Sequence, residues 1–238
     1  MAAQKEARVV HVVDLSPTTR VLELEPLERL DFVGGQYLIV NSGIALPDGK
    51  LAKRAYSILS SDTRQERLLL AVKRVGDGPG SAWMHARSVG DVVPFSGPWG
   101  KWLADDARPR RTLVLASDTG ISAALGLLRG AAFAPQRQMT ELVWLVERDD
   151  YFLPDDFVQA ALPDGVRYRR LPLPPVAHPE RLAAAEALLP GLGDGWQSLF
   201  LAGDGALCFP LRERLAQAHG GVEAKIECFF NNPAKKST

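Results

Sequence analysis

Cysteine is scarce in this chain. Its 238 residues include two, Cys208 and Cys228, and neither belongs to a Cys/His cluster. An iron–sulfur cluster held by cysteine takes four such ligands, so that chemistry is excluded, and any redox work must come from a bound organic cofactor. No sign of charge prevails: Lys+Arg and Asp+Glu stand at 28 each, which leaves no global pull toward nucleic acid or an anionic membrane. Apolar runs break off well short of membrane-spanning length, and Met1–Arg8 is too polar for a signal peptide. A soluble cytoplasmic protein is the expectation. Repeats and low-complexity tracts are missing as well, and the length suits one large domain or two of ordinary size.

Two textures follow one another along the chain. Residues 8–14 and 20–25 are β-branched or alternating runs split by Ser16-Pro17, which predicts an antiparallel pair. Phe32–Val40 reads as the next strand, with Gly34-Gly35 marking a bulge or a close backbone approach. Residues 41–50 are turn-rich, and strands follow around Arg54, over Arg67–Arg74 and over Asp91–Phe95, before the turn cluster Ser96–Gly100. Short strands at this rhythm indicate a six-stranded antiparallel barrel. The charged, proline-containing Asp105–Arg111 is the expected linker. Beyond it, strands (Arg111–Ala116, Met139–Glu147, Tyr168–Leu173, Ser198–Ala202, Val222–Phe230) alternate with helices (Ile121–Ala132, Asp155–Leu162, Pro179–Leu189, Phe209–His219). That alternation predicts a parallel sheet covered on both faces. The fold class is a β-barrel plus an α/β domain, with boundaries at 1–104 and 110–238.

Chemistry concentrates in Arg54-Ala55-Tyr56-Ser57. Strand alternation puts the Arg54 cation and the Tyr56 ring on one face and Ser57 on the other or at the edge. A guanidinium fork matches a phosphate, and a tyrosine ring lies well against a planar heterocycle. Taken singly, these residues also suit a surface salt bridge and a half-buried strand tyrosine. Some twenty residues on, Val75-Gly-Asp-Gly-Pro-Gly-Ser81 is a glycine-rich turn feeding a short helix, with Ser81 as expected N-cap. The spacing of Gly76, Gly78 and Gly80 lacks the βαβ context of a Rossmann fingerprint.

These two stretches, in this order, resemble the flavin domain of the ferredoxin–NADP reductase superfamily. The segments Gly35-Gln36-Tyr37 and Gly97-Pro98-Trp99-Gly100 match its barrel as well. The resemblance implies an N-terminal FAD-binding barrel and a C-terminal NAD(P)-binding domain. It assigns Arg54 to the FAD pyrophosphate, Tyr56 to stacking on the isoalloxazine, and Ser57 to a hydrogen bond near the flavin N5. Ala55 belongs to the same strand contact. Gly78, Gly80 and Ser81 would donate to the pyrophosphate, and Lys73 would approach from its strand unless it is simply a solvated strand end.

Downstream the pattern is looser. Ser117-Asp118-Thr119-Gly120-Ile121 resembles the loop that holds pyridine-nucleotide phosphates; Thr119 and Gly120 are kept, while Ser117 and Asp118 replace two glycines. A carboxylate there opposes phosphate binding unless it points away. In Ala202-Gly203-Asp204, Gly203 is kept and Ala202 stands where the family has cysteine. Cys208 falls at the helix start and reads as a small buried hydrophobe. Ile226-Glu-Cys-Phe-Phe230 resembles the terminal strand of bacterial members, with Glu227 as candidate proton donor and Phe229 and Phe230 covering the second flavin face or closing the core. Glu147-Arg148-Asp149-Asp150-Tyr151 leaves NADH against NADPH open.

The function implied is a flavoprotein oxidoreductase. Electrons would pass from NAD(P)H through FAD to a separate protein acceptor: ferredoxin, flavodoxin or an oxygenase component. The alternative is an FAD-binding electron-transfer subunit or redox-responsive partner with a weakened nicotinamide site. Arg108, Arg110, Arg111, Arg167, Arg169 and Arg170 offer either a basic rim for an acidic partner or scattered solvated arginines.

Overall fold

The computed structural model describes residues 4–104, 108–148 and 152–232. The first half is a six-stranded antiparallel sheet of β1 (Lys5–Ser16), β2 (Thr19–Pro26), β3 (Tyr37–Ala45), β4 (Leu51–Ser57), β5 (Leu68–Lys73) and β6 (Val92–Trp99). Its strand order is β4-β3-β6-β1-β2-β5, curled around Leu22, Leu24, Leu38, Val40, Leu70 and Phe95. The short helix α1 (Pro79–His85) sits between β5 and β6. The expected barrel is therefore present. Two local readings change. Residues 32–36 form a turn, so β3 starts at Tyr37 and runs on through what looked like turn sequence. Asn41, Ser42 and Gly43 make an irregularity in the pairing with β4: Gly43 takes φ 73°, and Ser42 Oγ donates to the Ala52 carbonyl at 2.9 Å.

The second half is a five-stranded parallel sheet of β7 (Thr112–Ser117), β8 (Thr140–Glu147), β9 (Arg167–Leu173), β10 (Ser198–Asp204) and β11 (Ala224–Phe230), in the order β11-β10-β7-β8-β9. Helices α2 (Gly120–Arg129), α3 (Asp155–Ala161), α4 (Arg181–Leu188) and α5 (Gly205–Ala218) link the strands. All six residues of β7 are buried, as a central strand covered on both faces requires. The helix α5 begins four residues earlier than the Phe209-Pro210 pair suggested. Asp204 caps it by accepting from the Ala206 amide at 3.0 Å, and Pro210 lies inside the helix. The expected linker Asp105–Arg111 and the acidic run Glu147–Tyr151 fall partly outside the described residues, as does the tail beyond 232. Among the described residues no helix is long and apolar enough to cross a membrane.

The order of the parallel sheet reverses at β7, because β8 and β9 lie on one side of it and β10 and β11 on the other. Ligands in such sheets bind at the carboxyl ends of the strands where this reversal occurs. The barrel covers that end through α2, nine of whose ten residues are buried. A Cβ on Gly126 would lie 2.1 Å from the Ile58 carbonyl oxygen, and one on Gly34 would lie 2.6 Å from the Gly126 carbonyl oxygen. Backbone thus meets backbone across the junction. Polar ties flank this contact: Asp62 accepts from the Gly34 and Ala131 amides at 2.9 and 2.8 Å, and Trp102 Nε1 donates to the Lys225 carbonyl at 3.1 Å.

A methyl group has no room at Gly126. Gly126→Ala should lower stability by about 1–3 kcal/mol through overpacking, despite the better helix propensity of alanine. Gly191→Ala, where a Cβ would meet nothing within 4 Å, should stay within about 0.5 kcal/mol of the parent. Urea midpoints compare the two, and equal midpoints would refute the tight seam.

Candidate functional site

A cavity of about 610 Å³ opens at the junction, within the range that cofactors and small ligands fill. The barrel contributes Arg54, Ala55, Tyr56 and Ser57 from β4, and Lys73 and Arg74 from the end of β5. Gly76, Gly78 and Ser81 come from the turn into α1. The α/β half contributes Asp118, Thr119 and Ser122 at the start of α2, and Phe229 and Phe230 from β11. An aromatic wall from each half therefore faces one space. Gly76, Asp118, Ser122, Phe152 and Val176 also line it and escaped the sequence reading as binding residues. Phe152 and Val176 carried no signal there, since each looks like any buried or loop hydrophobe.

The β4 strand explains the first wall. Its register with β3 sets Leu38 opposite Tyr56 and Val40 opposite Arg54. Tyr56 is mostly buried, and its hydroxyl is enclosed yet finds no hydrogen-bond partner among the described residues. Burial pushes its pKa to about 12, with Arg54 opposing the rise, so the phenol stays a proton donor at any working pH. An enclosed donor without a partner costs roughly 1–3 kcal/mol, and a ligand oxygen in the cavity would relieve it. The Arg54 side chain is exposed, and its guanidinium donates to the Lys53 carbonyl at 2.8 Å. Its stem lies under α1, for a Cβ on Gly80 would come 2.8 Å from Arg54 Cγ. Gly80 thus positions the arginine and does not itself line the cavity.

Ser81 is not the N-cap; Gly78 is, and Ser81 sits inside the first turn. Its hydroxyl donates to the Gly78 carbonyl at 3.0 Å and accepts from the Val75 amide at 3.2 Å. The side chain therefore locks the glycine turn, which leaves donors to a ligand to the backbone.

The residues singled out in the α/β half separate. Thr119 reaches the cavity. Gly120 and Gly203 instead press together: a Cβ on Gly120 would lie 2.2 Å from the Ala202 carbonyl oxygen, and one on Gly203 would lie 2.2 Å from that of Ser117. Their role in the structure is the close approach of the loops that follow β7 and β10. Glu227 lies beside Tyr37 rather than in the cavity wall. Burial first, and the Glu227 charge second, raise the Tyr37 pKa.

The replaced glycines form a network. Asp118 keeps a glycine-like backbone at φ 49°, tolerable for aspartate, with its carbonyl accepting from Trp144 Nε1 at 2.9 Å. Its carboxylate turns inward to Arg181 Nη2 at 2.6 Å, across 63 residues of sequence, and both side chains are almost wholly buried. Arg181 Nη1 lies 3.7 Å from Glu147, and Arg181 Nε lies 3.9 Å from Asp204. Ser117 Oγ accepts from the Asp204 amide at 2.8 Å. One guanidinium thus gathers the carboxyl-terminal ends of β7, β8 and β10. Burial raises the Asp118 pKa to about 6, outweighing the opposing pull of Arg181.

Several of the six arginines offered as a rim or as scattered solvated charges have partners within the chain. Arg167 and Arg169 pair with Glu141, and Arg111 lies over Trp196. Thr112 of β7 pairs with Thr140, and Glu141 with Arg167, so Arg111 and Arg167 stand at the amino-terminal edge of the sheet, opposite the cavity.

Residues 6–103 match the family model of the oxidoreductase FAD-binding domain. Ferredoxin–NADP reductase B of Sorangium cellulosum is 38% identical over 128 residues, which is 53% of this chain and 51% of that protein. The reductase component of phenol 2-monooxygenase from a Pseudomonas is 32% identical over 112 residues, 47% of this chain and 30% of that one. The chain spans about half the length, or less, of these curated relatives. Among solved structures, a ferredoxin NADP+ reductase from Neisseria gonorrhoeae with bound FAD and NADP superposes with a TM-score of 0.76 at 18% identity, covering 97% of this chain and 100% of that one. The ferredoxin reductase of carbazole 1,9a-dioxygenase gives 0.75 at 22% identity, covering 96% and 68%. At these identities the two structures speak for the fold.

Two measurements follow from Asp118. Removing Asp118 takes away the shortest of the three carboxylate contacts of Arg181 and leaves Glu147 and Asp204 near it, so Asp118→Ala should cost about 1–3 kcal/mol, and D118A/R181L should cost less than the sum of its parts. The folded pKa lies above the unfolded value, so the contribution of this carboxyl is complete below about pH 4 and is lost as pH rises through about 6. Relative to Asp118→Asn, the parent should therefore lose up to about 3 kcal/mol between those limits; parallel curves in urea titrations across that range would refute the assignment.

Proposed function

We propose that the chain is a flavoprotein oxidoreductase of the ferredoxin–NADP reductase-like superfamily, passing electrons from NAD(P)H through FAD to a separate protein acceptor, such as ferredoxin, flavodoxin or an oxygenase component; its match to the FAD-binding domain and its likeness to these reductases support the reading. The observation that carries this reading is the cavity itself, walled by Arg54-Ala55-Tyr56-Ser57 on one side and by Phe229-Phe230 on the other, with an enclosed Tyr56 hydroxyl in need of a partner. The residues present fit FAD. When bound, it would supply the exchange between two-electron input and one-electron output.

The chain does the rest. Arg54 neutralises the pyrophosphate, with Lys73 and Arg74 adding positive charge at the same mouth. The Tyr56 ring would lie against the isoalloxazine, exclude water from that face and donate from its hydroxyl. Phe229 and Phe230, on the other wall of the cavity, would cover the remaining face. Ser57, buried at the wall, would orient the reacting edge of the ring. Glu227, whose charge reaches Tyr37 and which stands two strand positions before Phe229 of the cavity wall, would serve as the proton donor. Thr119 and Ser122 line the cavity at the start of α2, where NAD(P)H phosphates would lie, while Gly120 and Gly203 keep the two loops close enough to shape that mouth.

A second reading rests on a specific feature. Asp118 and Arg181 consume each other's charge at the strand ends where pyridine nucleotide would bind, and Ala202 offers no thiol. A chain so built would hold FAD while receiving electrons from a protein donor, as an electron-transfer subunit.

Anaerobic titration of the FAD-loaded protein with NADPH and then NADH separates the two. Rapid bleaching of the visible flavin absorption by either is the expected result and fixes the coenzyme; a flavin that stays oxidised with both overturns the reductase and leaves the subunit. Arg54→Ala should weaken FAD by about 1.5–3 kcal/mol, roughly ten- to a hundredfold, measured by fluorescence titration of the apoprotein. Unchanged affinity would remove Arg54 from the pyrophosphate site.

A further inference from the structure

The two cysteines lie on different elements that the fold brings together. In the pairing of β10 with β11, Gly203 stands opposite Cys228, and α5 starts directly after β10, with Cys208 on its first turn. The approach of α5 to the end of β11 is tight, since a Cβ on Gly205 would lie 2.5 Å from the Asn231 carbonyl oxygen. Both cysteines belong to one apolar cluster beneath α4 and α5, and both are free thiols. The two thiols are near enough to perturb each other's titration, Cys208 upward and Cys228 downward.

Their surroundings differ in a useful direction. Cys208 is 3% exposed, and Cys228 beside it, followed by burial, holds it strongly protonated. Cys228 is only partly buried, and the neighbouring Cys208 lowers its pKa, with Arg212 assisting against burial and the charges of Glu227 and Asp204. The more accessible sulfur is thus the more readily ionised, and its neighbour is a sheltered thiol that Ser117 also contacts. Reactive thiol pairs are built with this division.

We propose that Cys228 and Cys208 form a redox-active dithiol that closes to an intramolecular disulfide on exposure to a hydroperoxide. The Cys228 thiolate attacks one oxygen of the peroxide, the O–O bond breaks, and a sulfenic acid forms as the other oxygen departs and is protonated to water or alcohol. Cys208 then attacks that sulfur, gives up its proton, and the S–O bond breaks with release of water. Two thiols lose two electrons and two protons, and the peroxide gains them. An external dithiol reverses the closure. The crosslink would tie the end of β11 to the first turn of α5, one residue before Phe229 at the cavity wall. This site stands apart from the flavin reading, since it requires neither FAD nor pyridine nucleotide.

The test uses the purified full chain, reduced, desalted and treated with a few molar equivalents of hydrogen peroxide, then examined by intact mass and by thiol titration after denaturation. The expected result is loss of both thiols, a mass lower by two hydrogens with no intermolecular species, and full recovery with dithiothreitol. Cys208→Ser should stop at the sulfenic acid, trapped on Cys228 as a dimedone adduct, while Cys228→Ser should keep its remaining thiol at the same dose. Retention of both thiols in the parent chain, a disulfide between chains, or a mass gain of oxygen in place of the two-hydrogen loss would overturn the proposal.

Discussion

The contact of α2 with the barrel governs the rest of the architecture. Hydrogen-bonded backbone cannot be compressed, so two polypeptide surfaces that meet without side chains between them have one distance of approach. Gly126 and Gly34 supply that surface, and Ile58 and Gly130 receive it. A helical glycine costs about 1 kcal/mol relative to alanine, so its presence in the middle of α2 works against local stability and in favour of the tertiary fit. With α2 held at this depth, its first turn and the two residues before it carry Asp118, Thr119 and Ser122 to the cavity shared with β4.

Much of this was legible in the sequence, for identifiable reasons. The barrel strands announced themselves through alternation, and the inner parallel strands β7, β8 and β10 through apolar runs, because burial on one face or two leaves those different traces. Arg54 and Tyr56 were readable because their relation is local: two positions on one strand have one geometry. Ser81 misled because a serine three residues after a glycine, at the head of a helix, suits either the cap or the first turn, and the proline at position 79 moved the start forward. The turn-like Asn41-Ser42-Gly43 misled because the same residue types serve bulges.

Arg181 was the hidden element. Nothing in the stretch around it distinguishes a solvated helix start from a buried cation, and its partners come from three other strands. In sequence, Asp118 looks like damage to a phosphate loop. In the fold it is one member of a set in which Ser117, Asp118, Glu147 and Asp204 share polar contacts around a guanidinium, directly or through one another. Such residues are mutually dependent, and a pattern comparison that scores positions one at a time counts each as a separate loss.

Neither half of the molecule can form the cavity alone. Whatever fills it binds the native arrangement of both halves and neither half unfolded, so its binding energy acts as mortar between them. A filled chain should melt as a single cooperative unit. Emptying the cavity would withdraw that cement and leave the barrel and the sheet joined by the α2 seam and the apolar core they share.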